Sequence, residues 1–279
     1  QTGYLGYPGP QPVKFEASPI VVDGVIYITG EMDNAWALDG KTGKVLWRHS
    51  RKLPGPFRGD RGSWDPVVDT PIAVRSCCGP VNRGFAVHGD RLYKLTLDMH
   101  LLALEMKTGK VLWDVEVDSW RKANAGTGAP LVVKDKIIVG NAGGDFASRG
   151  FVDAFDFTGK RVWRFWSTPL PGEPGGNTWP TARAAERGGA AGWLTGTYDP
   201  DLNLVYWPLG NPNPDYDGQY RRGDNLYSNS LVALDADTGK LRWHFQFTPW
   251  DEWDYDATQT PVLADLTIGG TPRKVVMQA

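Results

Sequence analysis

The sequence lacks the features that would place it in several common classes of protein. Its 30 basic and 32 acidic residues are well mixed and give a net charge of −2, which is unlike the electrostatic footprint of a nucleic-acid-binding protein. No run of residues approaches the roughly 18 apolar positions of a membrane span. Residues 1–13 have neither the charged start nor the apolar core of a signal peptide, an absence with little meaning if the chain comes from a longer precursor.

Common catalytic motifs are also missing. The four histidines, at positions 49, 88, 100 and 244, show no metal-ligand spacing, and there is no Cys-x-x-Cys pair, nucleophile elbow or phosphate-binding glycine loop. Glycine, proline and tryptophan are abundant instead, with 34, 21 and 13 residues. Because turns use Gly and Pro while half-buried strands favour aromatics, this composition predicts many short strands joined by tight turns.

A short unit recurs four times along the chain. Each copy runs from an alanine, through an acidic residue and Thr-Gly-Lys, to a closing tryptophan, at residues 37–47, 103–113, 154–163 and 233–243. The pattern predicts a strand, a turn and a strand, with the tryptophan beginning or flanking the next strand. Apolar hairpins precede the copies, most clearly at residues 18–28 and 129–139. Two hairpins per period predict a four-stranded blade of a β-propeller.

This unit resembles the tryptophan-docking repeat of eight-bladed quinoprotein dehydrogenases, in which each tryptophan packs between adjacent blades. A bulky aromatic at a fixed repeat position is itself a packing device, so we expect all four tryptophans in the core. The predicted fold is all-β, a single partial propeller domain over residues 1–279 with about four blades and the start of a fifth near Thr260. An open ring exposes strand edges, so we expect a fragment, or a chain partnered by the missing propeller half or a second chain.

The two cysteines, Cys77 and Cys78, are adjacent in the sequence. Consecutive Cα atoms lie only about 3.8 Å apart, so a bond between the two would need a strained ring; two buried free thiols are the alternative. The pair is followed by Asn82-Arg83-Gly84. Together these motifs resemble the pyrroloquinoline quinone (PQQ) alcohol dehydrogenases, the methanol and ethanol dehydrogenase family. The resemblance implies a vicinal disulfide against one face of the quinone, and hence an oxidising compartment such as the bacterial periplasm.

The same resemblance implies further cofactor contacts. Glu16 stands in a stretch similar to the family's Glu-x-x-Pro, Arg83 would pair with a quinone oxygen or carboxylate, and Thr127 matches a threonine that hydrogen-bonds a PQQ carboxylate. Trp193 matches the aromatic floor under the quinone, opposite the disulfide. Two glycines of the segment 141–150 complete the predicted cofactor set, Gly143 and Gly144.

Two further motifs resemble metal-binding elements of this family. Residues 141–150 look like its Gly-Ala-Glu-x-x-x-Arg-Gly element, in which the acid is a metal ligand, but here Asp145 replaces the longer glutamate. Asn211, in Gly210-Asn211-Pro212, matches an asparagine whose amide oxygen binds the metal. An asparagine before a proline is also an ordinary turn former.

Residues 249–256 hold four acids and two tryptophans. If residues 253–258 are extended, Asp254 and Asp256 project from one strand face, roughly 6.5 to 7 Å apart. Two such carboxylates repel each other unless a cation lies between them. An oxygen-loving metal would satisfy both and leave one placed as a general base; solvated loop acids are the alternative. In the family, Asp254 matches the catalytic aspartate, and Asp256 matches an extra carboxylate of lanthanide-using members.

The resemblance implies a PQQ- and metal-dependent oxidation of small alcohols to aldehydes, with Ca²⁺ or a lanthanide(III) ion. Hydride passes to the quinone C5, Asp254 is the general base with Asp145 as the alternative, and a cytochrome c-type protein accepts the electrons. A glucose-type quinoprotein, a non-catalytic propeller scaffold and an inactive fragment are the alternatives. The family's catalytic Lys or Arg would follow Ala279.

Overall fold

A computed structural model of the chain describes residues 15–54 and 79–279. The chain divides into two compact units, of which the first ends at Pro130 and the second spans Leu131–Ala279. The single domain over residues 1–279 stays a prediction. Helical structure in the described ranges consists of short turns and one helix, α1 (Ala182–Glu186). No helix there has the length and apolar character needed to cross a membrane.

The first unit contains two four-stranded antiparallel sheets, each with its strands side by side in chain order. The strands of the first sheet are β1 (Ile20–Val22), β2 (Val25–Thr29), β3 (Ala35–Asp39) and β4 (Val45–His49). Those of the second sheet are β5 (Ala86–His88), β6 (Arg91–Leu95), β7 (His100–Glu105) and β8 (Val111–Glu116).

The second unit repeats this arrangement with two more four-stranded sheets. Their strands are β9 (Leu131–Val133), β10 (Lys136–Gly140), β11 (Phe151–Asp156), β12 (Arg161–Trp166), β13 (Thr197–Asp199), β14 (Leu204–Pro208), β15 (Ser230–Asp235) and β16 (Leu241–Gln246). A final hairpin follows, formed by β17 (Val262–Ile268) and β18 (Thr271–Met277). The predicted all-β fold of four-stranded blades, with the start of a fifth, is therefore confirmed.

The alanine of each repeat explains how the sheets pack internally. Ala37 on β3 is paired with Tyr27 on one side and with Trp47 on the other, and the two ring centroids are 6.0 Å apart. A methyl group is small enough for both rings to close over it. Equivalent alanines stand between a large side chain and a tryptophan in the other sheets, at Ala103, Ala154 and Ala233.

The repeat's turn is closed by its acidic residue. In the first copy, the Asp39 carboxylate accepts hydrogen bonds from the Thr42 backbone N–H and hydroxyl, both at 2.7 Å. The Asp39 N–H donates to the Lys44 carbonyl at 2.8 Å, and strand β4 resumes at Val45. The expectation that the closing tryptophan begins or flanks the next strand is wrong, because this tight turn lets the strand start two residues earlier.

Two of the repeat tryptophans dock on the next sheet of their own unit. The Trp47 indole N–H donates to the Met106 carbonyl at 2.8 Å, and Trp163 donates to Ala236 at 3.2 Å. Both rings are buried. Trp113 is partly buried, whereas Trp243 is 39% exposed. The prediction of a core position is wrong for Trp243, because the following hairpin has no Thr-Gly-Lys turn on which it could dock.

Candidate functional site

The predicted metal ligands of the second unit lie on loops that follow the ends of its strands. Residues 209–216 come after β14 and residues 251–257 after β16, and an isolated bridge pairs Leu209 with Ala257. The Asn211 carbonyl accepts a hydrogen bond from the Ala190 N–H at 2.7 Å, and Gly210 N–H donates to Ala191 at 2.9 Å. The backbone around Asn211 is therefore fixed from two sides.

Asn211 forms hydrogen bonds with three of the carboxylates. Only 4% of it is exposed. Its backbone N–H donates to Asp256 Oδ1 at 2.8 Å. Its side-chain Nδ2 donates to Asp215 Oδ1 at 2.8 Å and, more weakly, to Asp145 Oδ1 at 3.4 Å. The structure thus brings Asp145, Asn211 and Asp256 together and adds Asp215, which sequence reasoning missed; the role of the first three as metal ligands stays a prediction.

Asp145 is placed by a short helical turn, Gly144–Phe146. Gly143, just before this turn, has a φ of +101°, a left-handed conformation that favours glycine. The Asn213 side chain donates to the Asp145 carbonyl at 3.1 Å. Gly143 and Gly144 are both buried. Their predicted role in cofactor binding stays a prediction.

The segment that carries Asp254 is curled rather than extended. The buried Asp251 carboxylate accepts the backbone N–H groups of Trp253 and Tyr255, each at 2.9 Å, and the Asn229 amide at 2.8 Å. Asp254 has a φ of +67°. The extended conformation on which the same-face placement of Asp254 and Asp256 depended is absent at Asp254, because one carboxylate binds two alternate N–H groups.

Burial and mutual repulsion dominate the electrostatics of these acids. Burial, followed by the charge of Asp145, raises the pKa of Asp254 to about 6. Burial raises the pKa of Asp256 to about 7 despite hydrogen bonds from the Asn211 N–H and the Trp193 side chain. The pKa of Asp215 also rises to about 7, through burial and the charges of Asp145 and Asp254. A cation placed among these groups would relieve the repulsion.

The donor set fits a hard metal ion. Three carboxylates and one amide oxygen are the ligands that Ca²⁺ and lanthanide ions share, and neither ion requires a rigid geometry. In the described part of the chain, no three His, Cys, Asp or Glu side chains stand close enough to hold a metal ion as they are arranged. In this arrangement the Asn211 Nδ2 donates hydrogen bonds to two of the carboxylates, those of Asp145 and Asp215.

A buried arginine holds the two loops together, and sequence reasoning missed it. Arg221 is fully buried. Its guanidinium donates to the backbone carbonyls of Pro214 at 2.9 Å, Asp215 at 3.2 Å and Asp251. The arginine thereby links the loop that carries Asn211 to the loop that carries Asp254. Arginine is rarely buried, so nothing in the sequence marks this residue out.

The first unit brings together three of the predicted cofactor-binding residues. Arg83 forms an ion pair with Glu16, with Nη2 and Oε2 at 2.6 Å. The Arg83 backbone N–H donates to the Thr127 carbonyl at 3.0 Å, and its Nη1 approaches the same oxygen at 3.4 Å. Thr127 is buried. Cys77 and Cys78 lie outside the described residues, so their pairing stays a prediction.

Comparisons with known proteins identify the family of the chain. Residues 2–279 match the family model described as "PQQ: Glucose/ethanol/alcohol dehydrogenase, beta-propeller domain". Quinohemoprotein alcohol dehydrogenase ADH IIB of Pseudomonas putida is 42% identical over 280 residues, which cover 95% of this chain and 38% of that protein.

Two solved structures share the fold with a TM-score of 0.83. Quinohemoprotein alcohol dehydrogenase from Comamonas testosteroni is 37% identical, and the match covers 96% of this chain and 40% of that one. A europium-containing methanol dehydrogenase is 33% identical, with 95% and 47% covered. The chain spans less than half the length of the relatives that it matches.

Proposed function

Because the chain belongs to the family of PQQ-dependent alcohol dehydrogenases, we propose that its carboxylate site serves the oxidation of alcohols to aldehydes with PQQ and a metal ion. The observation that carries this proposal is the buried Asn211, which stands among the carboxylates of Asp145, Asp215 and Asp256. Burial of several acids that repel one another favours a metal-binding role over solvated loop acids.

We assign the ligands of each group from the chain's own residues. Asp145, Asn211, Asp254 and Asp256 would hold the ion through oxygen atoms. Glu16, Arg83, Thr127 and Trp193 would bind PQQ, together with Cys77, Cys78, Gly143 and Gly144. These residues would thus hold a quinone that, when bound, would supply the hydride acceptor, beside an ion that would supply a Lewis acid.

The chain's part in the reaction is to move a proton. Asp254 is half-buried, and its pKa of about 6 leaves it largely ionised at neutral pH. The Tyr216 hydroxyl donates to Asp254 Oδ2 at 3.3 Å. This contact orients the carboxylate, and we assign the other oxygen, Oδ1, to accept the hydroxyl proton of the alcohol as the carbon gives up its hydride. Asp145 is the alternative base.

Charge supports a trivalent ion at this site. Ionised Asp145, Asp254 and Asp256 supply three negative charges, more than a divalent ion balances, and Asp215 adds a fourth nearby. A lanthanide(III) ion therefore fits better than Ca²⁺. One related structure is of a europium-containing methanol dehydrogenase. We propose a cytochrome-type electron acceptor, which the quinohemoprotein relatives support. We also propose a periplasmic location, on the resemblance at the cysteine pair alone.

Reconstitution of the full-length protein tests this function. Metal-free protein is supplied with PQQ and either Ca²⁺ or La³⁺, and reduction of an artificial electron acceptor is followed with primary alcohols and with glucose. We expect alcohol oxidation that requires PQQ and is faster with La³⁺, and that is lost in Asp256→Ala. Equal or better activity with Ca²⁺, unchanged in that variant, would reject the lanthanide. Turnover of glucose alone would make the protein a glucose-type quinoprotein.

A further inference from the structure

Asp215 makes the shortest side-chain contact to the amide of Asn211. Its Oδ1 accepts a hydrogen bond from Asn211 Nδ2 at 2.8 Å, compared with 3.4 Å from the same nitrogen to Asp145 Oδ1. Asp215 is half-buried and lies four residues after Asn211 in the same loop. It belongs to none of the ligand positions predicted from the sequence.

The backbone holds Asp215 in this position. Pro212 and Pro214 restrict the loop that joins the two residues, because each ring fixes its own φ. Arg221 donates to the Pro214 carbonyl at 2.9 Å and to the Asp215 carbonyl at 3.2 Å. The Asn213 side chain also hydrogen-bonds to the Asp215 carboxylate. The loop backbone is therefore fixed by Arg221, and the carboxylate itself is held by Asn213 where it meets the Asn211 amide.

An asparagine amide has two chemically different ends. Its oxygen can bind a metal ion, whereas its NH₂ group carries only donors and cannot. A half-turn about the last side-chain bond exchanges the two ends. A hydrogen-bond acceptor beside the NH₂ group therefore selects the orientation in which the oxygen faces the ion. Residues that orient metal ligands in this way typically affect metal affinity 10- to 100-fold.

We propose that Asp215 is a positioning residue for the metal site, which binds the Asn211 NH₂ group and so leaves Asn211 Oδ1 to face an ion shared with Asp145, Asp254 and Asp256. The inference rests on the proposed function, because it concerns the same ion. It differs from a role for Asp215 as a direct ligand, since a positioning residue acts only through Asn211.

A double-mutant cycle on metal binding tests this dependence. The dissociation constant of La³⁺ is measured by calorimetry on metal-free full-length protein for Asp215→Ala, Asn211→Ala and the double variant. We expect each single change to weaken binding about 10- to 100-fold. The double variant should bind no more weakly than Asn211→Ala, because without the amide there is nothing for Asp215 to orient.

Two further variants separate the hydrogen bond from charge. Asp215→Asn keeps an oxygen acceptor and removes the charge, and we expect it to recover most of the affinity lost in Asp215→Ala. Asp217→Asn removes a charge from the same loop and keeps an oxygen for the contact from the Gln219 N–H at 3.1 Å. We expect its affinity for La³⁺ to equal that of the wild type.

The possible failures are distinguishable. Wild-type affinity in Asp215→Ala, a full additional loss when it is combined with Asn211→Ala, or equal losses in Asp215→Asn and Asp215→Ala would each overturn the positioning role while leaving the metal site intact. A wild-type protein that binds no La³⁺ would overturn the proposed function together with this inference.

Discussion

Asp254 is set apart from the neighbouring acids by its backbone and by its access to solvent. Its φ of +67° turns the side chain away from the path of an extended strand, and it stays half-buried while Asp251 is fully buried. A group that takes a proton from a substrate needs both a route to it and an ionised form near neutral pH. Asp254 has both properties in this structure.

Replacement of Asp254 by asparagine should abolish turnover without loss of the fold. The amide cannot accept the alcohol proton, and loss of a general base typically costs 10²- to 10⁴-fold in rate. Steady-state kinetics on the reconstituted full-length protein measure this effect, with Asp217→Asn as a control for charge. If Asp254→Asn kept more than about a tenth of the activity, another residue, with Asp145 first in line, would be the base.

The raised pKa of Asp256 predicts a specific pH dependence of stability. In the unfolded chain this carboxyl ionises near pH 4, whereas in the folded protein its pKa is about 7. Between these values the folded state holds the extra proton, so metal-free protein loses stability as pH rises through this window and stays less stable above it.

The comparison with Asp256→Asn isolates this effect, because asparagine does not titrate. Without metal, the free energy of unfolding of the variant should increase relative to that of the wild type as the pH rises from about 4 to about 7. At pH 8 the variant should be the more stable protein. Saturating La³⁺ should reverse the order. Thermal unfolding in a chelating buffer at several pH values measures the difference, and a difference that does not change with pH would contradict the prediction.

At this site the sequence could predict which residues take part, but not the conformations that they adopt. Asn211 and Asp256 carry motif signals, and the structure places them in contact. Asp215 and Arg221 carry none, because one is an acid in a proline-rich loop and the other a basic residue that would ordinarily be exposed. The curl at Asp254 depends on Asp251, whose N–H partners cannot be known before the fold brings them together.

At the scale of elements, the glycine of the Thr-Gly-Lys turn both allows the turn and makes room for a tryptophan. This glycine adopts a left-handed φ, and in the second and fourth sheets it also lies against a docked tryptophan. A Cβ atom on Gly109, whose φ is +71°, would stand 2.6 Å from the Trp47 ring. The sequence showed the repeat but not this contact, because the two partners are far apart in the chain.

Gly109→Ala should therefore destabilise the protein more than an alanine at an open turn. Gly89, in the same sheet, has a φ of +59°, and a Cβ atom added there would have nothing within 4 Å. We expect Gly89→Ala to cost about 1 to 2 kcal/mol for its backbone alone, and Gly109→Ala about 1 to 3 kcal/mol more for crowding. Urea unfolding compares the two variants, and equal costs would contradict the docking contact.

At the scale of the whole molecule, the repeat and the order of the motifs were sufficient to predict the family. Four copies of one unit predict four similar sheets, and the cysteine pair, the Gly-Asn turn and the Asp-x-Asp motif follow one another as they do in quinoprotein alcohol dehydrogenases. The family match over residues 2–279 confirms that assignment. Because the relatives are more than twice as long as the matched region, catalysis is a property to measure on the full-length protein.

The proposed metal site is tested most directly by locating the ion itself. Crystals of the full-length protein grown with La³⁺ would be measured for the anomalous scattering of the lanthanide. We expect one strong peak among the side-chain oxygens of Asp145, Asn211, Asp254 and Asp256. A strong peak elsewhere in the protein, with none at these four residues, would contradict it.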